Sequence, residues 1–200
     1  MLSSNFSAIF YLISSVFFIL ALKGLSSPES SRRGNIFGIL GMSIAVTTLI
    51  LQPNSSNFSY MLSALLIGGM IGSILGLKIK MTAMPQLVAA FHSLVGLAAV
   101  LVATGAFLAP EKFNILAEDK IKVISAIEMS IGLVVGAVTF SGSVIAFAKL
   151  QGIMTGNPIV FKFQHALNSL LALAILFLIY LLVVNQELNV FIILAILAFL

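Results

Sequence analysis

The chain has 200 residues, of which 60% are apolar and only 8% charged, too little polar material to cover a water-soluble globule. A formal charge of +4 would suggest nucleic acid as a partner in a soluble protein, but the basic residues here sit in short connections between apolar runs, where they set orientation in a bilayer; no nucleic-acid partner is expected. The absence of cysteine excludes disulfides, thiolate metal sites and a cysteine nucleophile.

Apolar runs of about 20 residues recur, the length a helix needs to cross ~30 Å of hydrocarbon. They predict an all-α fold, a polytopic transmembrane helix bundle with full spans near 6–22, 35–51, 59–77, 84–108, 123–148 and 166–184 and a truncated seventh from about 189. The first run follows MLSSN, which lacks Lys and Arg, and no small-residue cleavage site stands behind it, so it reads as a span and not as a cleaved signal. Pro28, Pro53, Pro85, Pro110 and Pro158 all fall in connections or in the first turn of a span, where a missing N–H costs nothing.

On the third span, Gly68, Gly72 and Gly76 recur every four residues, and Gly132 with Gly136 repeats that spacing on the fifth. Small residues so spaced let helix backbones approach closely, and Gly96 and Gly142 join the set expected to pack helices. The alternative reading of such a stripe is a lining that leaves room for water.

The fourth span, MPQLVAAFHSLVGLAAVLV, holds His92 seven residues after Pro85, near mid-membrane depth. An imidazole is the ordinary side chain whose charge changes near neutral pH, and titratable groups inside spans mark ion or proton paths more often than they serve as glue between helices. The fifth span carries Glu128 about a turn and a half from its start, so the carboxylate either snorkels to the interface or marks the mouth of such a path. At 100° per residue Thr139 lies about 20° and Ser143 about 60° from Glu128 around the helix, which puts three polar groups on one face. Each hydroxyl alone could satisfy itself on the carbonyl four residues earlier. His165 precedes the sixth span beside Lys162 and Asn168, a position that suits a cap or a headgroup contact.

The seventh apolar segment, NVFIILAILAFL, spans about 18 Å as a helix, too short to cross. Either it dips in partway or the protein continues beyond it, and continuation is the expectation. Connections one, three and five carry Lys23, Arg32, Arg33, Lys78, Lys80, Lys149 and Lys162, whereas two, four and six carry Lys112, Lys120 and Lys122 beside Glu111, Glu118 and Asp119. The bias places the odd connections in the cytoplasm and the N-terminus outside.

Two histidines on well-separated spans make no metal site, no Ser-His-Asp or Gly-x-Ser-x-Gly arrangement appears, and no two of the fifteen glycines are spaced two apart, so a dinucleotide fingerprint is absent. No residue of the chain is expected to be catalytic, metal-binding or cofactor-binding. Residues alone describe a conduit, with a small proton-coupled transporter or channel unrelated to nucleotides, or a purely structural subunit, as the alternatives.

The stretches MTAMPQLVAAFHSLVGLAAVLVA and IGLVVGAVTFSGSVIAFAKLQG, with SRRGNIFGILGMSIAV and the glycine run at 67–76, resemble the membrane domain of the beta subunit of proton-translocating NAD(P) transhydrogenase. The resemblance covers essentially the whole chain and implies one transmembrane proton-channel domain over residues 1–200, truncated before the nucleotide-binding domain. It implies an oxidoreductase that passes hydride from NADH to NADP⁺, driven by protons returning through the membrane, in a bacterial inner membrane. His92 matches the family's channel histidine, Ser143 a channel partner, and Glu128 an acidic position near the outer side. NADP(H) and NAD(H) would be bound by a further domain and by an alpha subunit, in a homodimeric complete enzyme. The chain alone would not catalyse the reaction. The mechanism this implies has His92 protonated from outside along the face of Glu128, Thr139 and Ser143.

Overall fold

The computed structural model describes residues 4–51, 58–158 and 160–200. Among the described residues seven α-helices follow one another: α1 (Ser4–Leu25), α2 (Ser31–Ile50), α3 (Phe58–Lys78), α4 (Met84–Leu108), α5 (Val123–Leu150), α6 (Gln164–Asn185) and α7 (Leu188–Phe199). Six of them are long and apolar enough to cross a membrane, and α7, with 12 residues, is not. The expected all-α fold is thus what the chain adopts, with helix ends within four residues of those read from the apolar runs.

The helix ends have local causes. Pro85 occupies the first turn of α4, where its fixed φ favours the helix and its missing N–H is not needed. Gly152 follows α5 at φ +72, the left-handed position that ends a helix without a Cβ clash, and Ile153 N–H then closes the end on Ala148 O at 2.9 Å. Between α4 and α5 the apolar pattern announces nothing, yet a short hairpin forms from β1 (Leu116–Ala117) and β2 (Lys120–Ile121), antiparallel with Leu116 opposite Ile121. Glu118 and Asp119 make its turn with φ of 48° and 64°, the left-handed pair that a two-residue hairpin turn requires.

The chain divides into two compact units, residues 1–74 and 75–200, with the division inside α3. In the first unit α1 and α2 run antiparallel in close contact. A Cβ added to Gly34 would lie 2.7 Å from the Gly24 carbonyl carbon, and one added to Gly41 would lie 3.2 Å from Ser14 O. The approach lets Ser14 Oγ donate to Gly41 O at 2.7 Å across the pair. Helix α3 has no buried residue among those described.

In the second unit α4 and α5 form the central antiparallel pair. Their backbones come closest where Gly96 meets Gly136: a Cβ on Gly96 would sit 2.6 Å from Phe140 N and 2.7 Å from Gly136 O. Lipid tails are as apolar as the side chains they would touch, so close backbone packing takes over the role that water exclusion has in soluble cores. Val100, Ala103 and Ala106 of α4, Leu133 and Ala137 of α5, and Phe191 and Leu194 of α7 continue the buried cluster from that crossing. Phe107 stacks on Phe191 with centroids 4.5 Å apart, and Phe140 meets Phe199 edge-on at 5.7 Å, so the short α7 is seated against both long helices.

The hairpin is tied down by one side chain. Gln186, at φ 56 between α6 and α7, accepts a hydrogen bond from Ile121 N–H on Oε1 (2.9 Å) and donates from Nε2 to Ile121 O (2.8 Å). The side-chain amide thereby pairs with Ile121 as a neighbouring strand's peptide group would.

Candidate functional site

His92 lies on α4 two turns beyond Pro85, between the buried contact face and the open surface of the helix. Its neighbours Ser93 and Gly96 are buried against α5, whereas His92 itself is exposed at the rim of the pair. It makes no hydrogen bond to another described residue. Ser93 Oγ is turned back onto Ala90 O at 2.7 Å.

The antiparallel register fixes which residues of α5 stand at this height. Gln86 Nε2 donates to Leu150 O at 3.3 Å and Gly96 abuts Phe140, so Ser143 falls level with His92 and Ser93. Ser143 is 8% exposed and makes no hydrogen bond to a described residue, which leaves its hydroxyl uncommitted beside the histidine's turn.

Glu128 occupies the same rim farther along. It borders an open groove of about 310 Å³ walled by Ala99, Val102, Ala106, Phe113 and Gly132. Ala99 is seven residues from His92, about 20° around α4, so the histidine and the groove lie on one flank of the pair. Thr139, half-buried, stands on that flank between them. Glu128 and Ser143 are separated by about 22 Å along α5, too far for the carboxylate to touch the imidazole directly.

The glycines named from spacing fall into two groups. Gly96 and Gly136 meet backbone at the crossing, while Gly68, Gly72, Gly76, Gly132 and Gly142 have no atom within 4 Å of an added Cβ. His165 is exposed at the start of α6, its carbonyl accepting from Ser169 Oγ at 2.8 Å. Among the described residues no group of three or more His, Cys, Asp or Glu gathers to hold a metal.

Several polar residues escaped the sequence reading. Ser130 is wholly buried with Oγ bonded to Ala126 O at 2.6 Å, and Gly24, Gly34 and Gly41 carry the α1–α2 contact. The 34-to-41 spacing, two helical turns, was the available signal. Gln86 and Gln186 had none, because a lone glutamine at a helix end looks like any interfacial polar residue.

Fold and rim together define a polytopic helical membrane protein in which a histidine and a carboxylate are strung along one flank of a close-packed helix pair. The family model for the NAD(P) transhydrogenase beta subunit matches residues 7–200, and the chain belongs to that family. Two curated relatives, each named NAD(P) transhydrogenase subunit beta and each from Rhodospirillum rubrum, are 56% identical over 155 residues, covering 78% of this chain and 33% of theirs. The chain spans about a third of the length of these relatives.

Proposed function

We propose that residues 1–200 form a proton-conducting membrane domain of an NAD(P) transhydrogenase, in which inward proton flow drives hydride from NADH to NADP⁺. Family membership supports the reaction class, and the uncommitted imidazole of His92, level with the free hydroxyl of Ser143, is the observation that carries the proton route. In this reading the protein lies in a bacterial inner membrane with its N-terminus outside, and Glu128 stands at the outer mouth. NADP(H) is held by a further domain and NAD(H) by an alpha subunit, and the complete enzyme is a homodimer. This chain, with no glycine fingerprint for a pyrophosphate, contributes no nucleotide contact.

Coupling follows from linkage. A proton on His92 can bias how the nucleotide domain is held only if the two conformations differ in proton affinity. A tenfold difference supplies about 1.4 kcal/mol. Protons enter past Glu128, follow the Thr139 flank around the Gly96–Gly136 crossing, and reach the imidazole and Ser143.

The test uses the complete enzyme in sealed vesicles. An imposed inward proton gradient should accelerate NADPH formation from NADH, and a protonophore should abolish the acceleration. A rate indifferent to the gradient in tightly sealed vesicles would remove the proton-driven reading.

A further inference from the structure

On the lysine-bearing side of the crossing, Gln86 has an amide that is half used. Its Nε2 donates to Leu150 O at 3.3 Å, meeting one of the carbonyls that the end of α5 leaves without an intrahelical partner. Its Oε1 is buried and has no hydrogen-bond partner among the described residues. An acceptor shut away unpaired is destabilising. A hydrophobic residue of similar size would avoid that cost while keeping most of the packing.

The position of that acceptor suggests what it serves. Gln86 and Ser93 are seven residues apart on α4, hence about 20° apart around its axis and about 10 Å along it. Ser93 and Ser143 are both 8% exposed and stand at the height of His92. Between the two levels α4 presents Ala89 and Ala90, whose small side chains occupy little of the contact. On α4 a strip of small and polar residues, opposite Phe147, therefore runs from the histidine's turn to the end of the pair where Lys149 emerges, its Nζ donating to Asn157 O at 2.9 Å. No carboxylate or histidine among the described residues of α4 or α5 lies between His92 and that end.

We propose that Gln86 is the positioning residue for the inner half of the proton route, its Oε1 accepting a hydrogen bond from water that relays protons between His92 and the cytoplasmic surface. This rests on the proton-conducting reading above. The amide does not titrate. It fixes the orientation of a water that takes a proton on one lone pair and releases another through its free O–H, so proton count is conserved and the glutamine is unchanged.

The experiment compares Gln86→Leu, Gln86→Glu and His92→Asn in the complete enzyme in vesicles, reading gradient-driven NADPH formation, its solvent deuterium isotope effect, nucleotide KM and thermal stability. Gln86→Leu should slow the gradient-driven rate about tenfold, the factor that ~1.4 kcal/mol gives, and raise the isotope effect, with KM and stability unchanged. Gln86→Glu, which retains an acceptor, should recover at least half of the rate. An unaltered rate and isotope effect in Gln86→Leu overturns the proposal, as does an equal loss in both variants accompanied by a lower melting temperature, which marks a packing role. Normal coupling in His92→Asn would instead sink the parent reading. Lost coupling there with a normal Gln86→Leu sinks this inference alone.

Discussion

His92 and Glu128 occupy different settings on the same flank. The histidine sits next to buried Ser93 and Gly96, where helix packing fixes its height and leaves its ring uncommitted. The carboxylate is exposed beside an apolar groove near the start of α5. On the proposed route Glu128 stands at the entry and should raise the local proton supply without deciding the coupling. Glu128→Gln should therefore lower the gradient-driven rate by up to about tenfold, and lowering the external pH should recover much of the loss, because a higher bulk proton concentration substitutes for the lost carboxylate. A stopped-flow rate series across external pH checks this, and a deficit that persists at low pH contradicts it. The residue types were legible because charge in an apolar run is conspicuous. The shared flank was legible only in part: the 100° step aligned Glu128, Thr139 and Ser143 on α5, but placing His92 beside them needed the α4–α5 register.

At the scale of elements, the pair α4–α5 comes closest at one crossing, where Gly96 meets Gly136 and Phe140. Gly96→Val would push a side chain into the Phe140 backbone, and overpacking of this kind costs typically about 1–3 kcal/mol. Gly142→Ala meets nothing within 4 Å and should leave stability within about 0.5 kcal/mol. Thermal unfolding in detergent distinguishes the two, and equal melting temperatures would contradict the assignment of the crossing. Both glycines were expected among the packing residues without being separated, since small size reports which residues could allow close approach and not which helix arrives. Helix boundaries were readable because prolines and charges punctuate the apolar runs. The hairpin at 116–121 was not, because Glu118-Asp119 lacks the glycine that usually marks a two-residue turn and its anchor lies 65 residues away in Gln186. Gln186→Gly keeps the left-handed backbone available but deletes two hydrogen bonds worth about 0.5–1.5 kcal/mol each. Hydrogen exchange at Ile121 should speed up accordingly, and unchanged protection would show that the clamp is not what holds the hairpin.

At the scale of the molecule, the chain comprises two compact helical units and about a third of the length of its curated relatives. The family was readable from two motifs because they combine a titratable residue with small-residue packing, a pairing that few membrane helices need. Nucleotide binding left no mark on these spans, which carry no glycine fingerprint for a pyrophosphate. On the proposed reading, the charge on one imidazole links proton movement to hydride transfer. Its most direct test is the ratio of protons translocated to hydrides transferred, recorded together in vesicles bearing the complete enzyme with either His92 or His92→Asn. The account predicts a fixed ratio for the unaltered enzyme and a ratio falling toward zero in the variant, and an unchanged ratio in His92→Asn would contradict it.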